Sequence, residues 1–243
     1  MAHHRHPDPA HRRFVASHLS IADVPWQDGY PCYLDEEAGL LAAWALVEPD
    51  GEVPAEVLVG LGNREHPAGE AIGLRHADHP DPRVRREVPR CLGADHGDPL
   101  SAAATACVRR PALDPDEKVR AGVGWALQGC PVTSGTRAAL LTLARDEAPA
   151  VRLAAGSALA ASADRTREVA DALAALLDED EQRVRLEGTY GLLLRDDPRT
   201  AAGVERLGPL AWPEYRYDNR GEPVRQWRRR RDRRGEREEH EGA

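Results

Sequence analysis

Arginine carries most of the chemistry available to this 243-residue chain. The 33 basic residues include one lysine, Lys118, and a run of arginines interleaved with aromatics closes the sequence. The segment WPEYRYDNRGEPVRQWRRRRDRRGER could contact phosphates through Arg225, Arg228, Arg229, Arg230 and Arg231, with Trp227 stacking on bases. Residues 225–237 hold eight arginines against Asp232 and Glu236, a local charge of +6, while the whole chain is at −8. The remaining body is therefore strongly acidic and repels a duplex. An unstructured, solvating basic extension is the first reading of this tail, nucleic-acid contact the second and a membrane-surface contact the third. Removing it after Pro209 is expected to leave helical content nearly intact.

Catalytic patterns are scarce. The chain has no phosphate-cradling G-x-x-x-x-G-K-[ST], no G-x-G-x-x-G, no H-E-x-x-H and no G-x-S-x-G. His76, His79, Cys91 and His96 cluster around a turn, but their spacing matches no standard metal site, and Asp78 and Asp81 favour a solvated turn. His3, His4, His6 and His11 would hold nickel adventitiously. Cys32, Cys91, Cys107 and Cys130 form no C-x-x-C pair and read as reduced, partly buried thiols. We therefore expect no catalytic residue, no metal and no cofactor. The apolar stretches fall short of a bilayer span and the first residues lack a signal-peptide core, so the expected location is cytoplasmic.

The middle of the chain repeats. DPRVRREVPRCLG (81–93), DEKVRAGVGWALQG (116–129), APAVRLAAGSALAAS (148–162) and EQRVRLEGTYGLLLR (181–195) align on Val84, Val119, Val151 and Val184, spaced by 35, 32 and 33 residues. A period in the thirties marks stacked helical hairpins. Counting from each valine, positions 0, +4, +7 and +8 are aliphatic or small and fall in one arc, the buried stripe of a helix. Asp81-Pro82 and Asp114-Pro115-Asp116 supply capping oxygens, and Gly93 and Gly129 stand where a left-handed C-cap belongs. A second apolar segment precedes each of these helices.

These turns and their Leu-Gly endings resemble bacterial HEAT-like repeats, including the short units of phycobilisome-lyase-type HEAT proteins. The resemblance implies an all-α, right-handed α-solenoid of HEAT-like hairpins with a basic, disordered C-terminal tail. The expected divisions are an N-terminal, partly ordered extension (1–35), a degenerate hairpin (36–66), four repeats (67–195), a capping helix (196–211) and the aromatic, arginine-rich tail (212–243). It also implies that Arg85, Arg120, Arg152 and Arg185 form an ion-pair ladder between repeats. Asp81, Asp116 and Glu181 stand one helical turn before three of them.

In such stacks the second helix lines the concave surface, so positions +2, +5, +6 and +9 should populate a groove. Among them, Arg86 and Arg90 give one basic end. Trp125 and Tyr190 read as aromatic anchors, Leu153, Leu186 and Leu193 as apolar area, and Ser157 as a polar point. A solvated face would carry Glu, Lys and Gln instead, so this surface is expected to be covered, by a protein partner or by the chain's own aromatic tail. The function this implies is a non-catalytic protein-binding scaffold or adaptor. The alternative is nucleic-acid association, through the tail or through a groove like that of HEAT-like DNA-repair enzymes.

Overall fold

The computed structural model describes residues 3–21, 26–27, 30–31, 34–48, 52–63, 68–92, 99–210, 215 and 218–241. Helix α1 (Pro9–Ile21) leads to a two-residue antiparallel ladder, β1 (Trp26–Gln27) with β2 (Tyr30–Pro31). Five helical pairs follow: α2 (Leu34–Ala45) with α3 (Glu52–Asn63), α4 (Gly69–His76) with α5 (Pro82–Leu92), α6 (Ala102–Val108) with α7 (Glu117–Ala126), α8 (Ser134–Leu143) with α9 (Pro149–Ala161), and α10 (Arg167–Ala175) with α11 (Gln182–Leu194). Helices α12 (Thr200–Leu207) and α13 (Gly221–Glu241) close the array. Successive second helices α3, α5, α7, α9 and α11 pack closely on one another, whereas successive first helices touch less extensively. The molecule is an α-solenoid whose second helices line the inner side of its curve.

Local sequence signals place the helix ends. The Asp116 carboxylate accepts the N–H groups of Lys118 and Val119 at the start of α7, and Thr133 and Thr136 form a reciprocal capping box on α8. Gly129 adopts φ 86° just after α7, in the left-handed region open to glycine. Val84, Val119, Val151 and Val184 are completely buried, and their +8 partners Leu92, Leu127, Leu159 and Leu192 nearly so. Helix α3 repeats the pattern with Val53, Val57 and Leu61, all fully buried, 31 residues before Val84. One continuous apolar cluster runs from Ala16 in α1 to Leu192 in α11.

The arginine ladder joins one repeat to the next. Arg85 forms a bidentate pair with Asp114 (2.7 and 3.0 Å), and Arg120 does the same with Asp146 (2.7 and 2.9 Å). Arg152 reaches Glu179. In each case Nη1 also donates to two carbonyls, six and five residues back, sealing its own entry turn. The carboxylate one turn earlier is not the partner: Asp81 pairs with Arg83, and Asp116 is spent on capping. Arg12 of α1 has the same geometry, bonding the carbonyls of His6 and Pro7 and gripping Glu48 at 2.8 and 3.0 Å. Segment 1–35 thus contains a helix that stacks on α3 and carries a rung of the ladder. Pro54 stands at the corresponding position of α3, where no side-chain donor exists. At the far end Arg185 keeps only the local half, donating to the carbonyls of Glu179 and Asp180, while its Nε has no hydrogen-bond partner.

The basic tail corrects the expectation of disorder. Residues Gly221–Glu241 form helix α13, and its first turns dock on the end of the solenoid. Tyr215 and Val224 bury against Leu186, Val204 and Leu207, with Leu193, Leu210 and Trp227 packed around them. Removing this apolar area from water overrides the polar composition of the rest of the helix. No helix among the described residues is long and apolar enough to cross a membrane.

Candidate functional site

On the inner side of the curve a cleft of about 360 Å³ opens between the second helices and the chain's own C-terminal segment. Trp125 stands at the end of α7 and keeps 48% of its surface exposed. Leu153 and Ser157 come from α9, Arg183 and Glu187 from α11, and Gln128 from the turn after α7. Tyr215, Asp218 and Arg220 form the remaining wall. Gly124, one residue before Trp125, permits the close approach of α7 to α9: a Cβ there would lie 2.7 Å from that of Ala154.

The floor and the wall differ in character. On the floor, the Gln128 amide donates to the Ser157 hydroxyl (2.9 Å), which accounts for a serine 4% exposed. On the wall, Arg220 is clamped by two carboxylates. Its Nε and Nη2 donate to Asp218, and Nη1 donates to Glu187, whose side chain is almost wholly buried. The Arg220 guanidinium is held below its ordinary pKa, chiefly by burial and then by the nearby charge of Arg183. The site thus offers an aromatic face, an apolar side, a hydroxyl–amide floor and a charged wall. Among the described residues it presents no nucleophile–base pair.

The structure separates the residues singled out by the sequence. Trp125, Leu153 and Ser157 meet in the cleft, Ser157 as its floor. Arg86 and Arg90 lie on α5, flanking Glu87 at 3.2 and 3.5 Å, with side chains 41% and 53% exposed. Leu186 and Leu193 do not offer open surface: Leu186 is fully buried under Tyr215 and Val224, and Leu193 packs beside it. Tyr190 is half-buried against the main core and does not line the cleft. Leu186 is covered because the tail folds back over α11, and Leu193 packs at the edge of the same cluster.

The tail residues also divide. Arg228 donates to the carbonyls of Val204 and Gly208, Trp227 joins the terminal cluster with Arg231 5.5 Å above its ring, and Arg225 pairs with Glu222. Arg229, Arg230 and Arg231 are exposed. The described histidines and cysteine weighed as metal ligands each have another hydrogen-bond partner. His76 bonds the Ile72 carbonyl, His79 accepts the Asp81 N–H, and the Cys91 thiol, pushed up to about 12 by burial, donates to the Leu58 carbonyl. His96 and Cys32 lie outside the described residues, and Cys91, Cys107 and Cys130 are buried.

Sequence reasoning missed Arg183, Glu187, Asp218 and Arg220. One signal was present. Glu187 occupies position +3, which packs on the preceding second helix and is Gly122 and Ala154 in the two middle repeats. A carboxylate there demands a cationic partner from elsewhere.

A family model described as HEAT repeats matches residues 106–192. The X-ray structure of YibA from Escherichia coli is similar in fold, with a TM-score of 0.59 at 15% identity over 91% of this chain and 75% of that one. No curated protein matches the sequence.

Proposed function

We propose that this HEAT-repeat solenoid is a non-catalytic protein-binding scaffold that captures its partner in the cleft between α7, α9, α11 and the C-terminal segment. The fold is commonly a protein-interaction scaffold, and its stacked helices present an extended concave surface. The observation that carries the reading is Trp125, a large aromatic left half-exposed at the mouth of a concave cleft whose other walls are already packed. Half-exposed tryptophans over an apolar neighbour such as Leu153 are typical centres of binding energy. The D-x-x-V-R turns further support assigning the units to the short bacterial kind, in a protein working in the cytoplasm.

The test is a comparison of proteins captured from nuclease-treated lysate by the wild-type chain and by Trp125→Ala, with circular dichroism as the folding control. A specific partner lost only from the folded variant supports the cleft. Unchanged capture by that variant overturns it.

A second reading, nucleic-acid contact, rests on the outward-facing Arg229, Arg230 and Arg231. Fluorescence anisotropy with a single-stranded 20-mer, repeated at rising salt, tests it. Binding that falls steeply with salt and disappears when these three become Gln favours it.

A further inference from the structure

We infer that the outward face of α1 is a self-association surface, on which Phe14 and His18 meet the α1 helix of a second copy of this chain in antiparallel array.

Register identifies the face. Arg12 aligns α1 with the other second helices and makes His11 its position 0. Positions +3 and +7 of a second helix pack on the second helix before it. Gly60 of α3 lies against Ser20 of α1, and the Cys91 thiol of α5 donates to the Leu58 carbonyl of α3. Gly122 of α7 lies against the Arg86 carbonyl of α5, and Gly191 of α11 against Ala160 of α9. In α1 the same two positions are Phe14 and His18. Ala16 and Ser20, on the opposite side of that helix, are buried toward α3.

No described element covers this face. Phe14 is 70% exposed, and its ring contact is with His18 one turn on, nearly parallel at 6.3 Å. At the other end of the array the exposed side of α13 carries Gln226, Arg229 and Arg230. That is the polar outer surface which a terminal unit of a solenoid needs for solubility. The α1 end departs from it by presenting an aromatic ring at a stacking position.

A second copy is the occupant because the face fits itself and continues the contact already used between units. Positions +3 and +7 are built to receive a second helix, and α1 is such a helix. Along it His11, Phe14, His18 and Ile21 recur at intervals of three, four and three residues, the spacing of a two-stranded helical seam. Run antiparallel about a two-fold axis, the stripe sets Phe14 opposite the second copy's His18 at two symmetry-related places. Aromatic pairs of this kind attract beyond the area they bury. Arg13, beside the stripe, reaches back to Glu56 of α3. A 13-residue helix is about 20 Å long, so the contact is small against the roughly 1,200–2,000 Å² of a standard interface. The pairing is reversible, with a dissociation constant on the order of tens of micromolar.

Sedimentation equilibrium of the full-length chain, from about 1 to about 300 µM, is the test. The expected result is a monomer–dimer equilibrium that stops at two copies and survives about 0.5 M salt, because apolar contact is not screened. Phe14→Ser should weaken it about tenfold or more and leave the melting temperature unchanged, since the ring is mostly in water. Leu113→Ser is the control: Leu113 is 75% exposed, three units along the array, and should leave the equilibrium as it is. A chain that stays monomeric throughout overturns the inference, as does a dimer indifferent to Phe14. Equal weakening by Leu113→Ser marks nonspecific association, growth beyond the dimer marks a head-to-tail contact, and dissociation by salt marks an ionic one. Each of these overturns it too. The Trp125 cleft lies on another face, so the protein-binding reading above stands or falls separately.

Discussion

The guanidinium of Arg220 is ion-paired with Glu187, so the last folded segment of the chain neutralises a carboxylate buried on the inner face of α11. This pair makes the wall of the cleft and the end cap of the solenoid one structure. Removing one partner of a buried pair strands the other, at a cost of about 3–5 kcal/mol. Glu187 is the more buried of the two. Arg220→Ala should therefore destabilise by about 3 kcal/mol. Glu187→Gln should cost less, since Arg220 keeps Asp218. Urea denaturation of both variants checks this, and equal small effects would refute the asymmetry.

Truncation after Pro209 should not be neutral. Without Tyr215 and Val224, the buried side chains of Leu186, Val204 and Leu207 face water. Full exposure of one such side chain costs roughly 1.5–3 kcal/mol, and partial exposure of three gives about 3–6 kcal/mol. The expected result is a clear drop in Tm with increased binding of a hydrophobic dye. An unchanged melting curve would mean that the terminal cluster contributes nothing.

The ladder predicts a specific response to acid. Asp146 is held below the ordinary carboxylate range by the hydrogen bond from Arg120, which outweighs the opposing effect of burial, with help from the Ala148 N–H and the charges of Arg120 and Arg152. A depressed folded-state pKa contributes stability above the unfolded value of about 3.9, lost as pH falls through the folded value. Asp146→Asn should therefore be less stable than wild type at pH 7, with the gap closing below about pH 4. Urea midpoints at pH 7, 5, 4 and 3 measure it. A gap that persists at pH 3 would show that the difference is not electrostatic.

Close helix approach gives a prediction about shape. Gly124→Ala places a methyl 2.6 Å from the backbone of Ala154, in a contact between α7 and α9 that cannot yield without moving a helix. A cost of about 1–3 kcal/mol is expected. Because Trp125 follows directly, the cleft should change shape with it. Thermal denaturation reads the first effect, and the near-ultraviolet dichroism of tryptophan reads the second.

The repeats were legible because two independent signals agree. Val84, Val119, Val151 and Val184 recur at nearly constant spacing, and each heads a stripe whose period matches a helix. The N-terminal member of the ladder was harder to see. Arg12 follows Asp8-Pro9 as Arg85 follows Asp81-Pro82, but His11 stands where the other units have valine. Helix α3 keeps the valine and loses the arginine to Pro54, so no single motif covers both.

The groove was legible only in part, and two leucines show why. Leu153 and Leu186 occupy the same position of neighbouring repeats and are indistinguishable on a helical wheel. The first lines an open cleft; the second is fully buried beneath Tyr215 and Val224. Helical periodicity alone determined which face of each second helix packs into the array, because that burial is set by neighbours at fixed spacing along the chain. Which part of the inner face stays wet was decided by the tertiary fold. A segment some thirty residues away returns to cover α11 and leaves Trp125 exposed, held by contacts that no local period encodes.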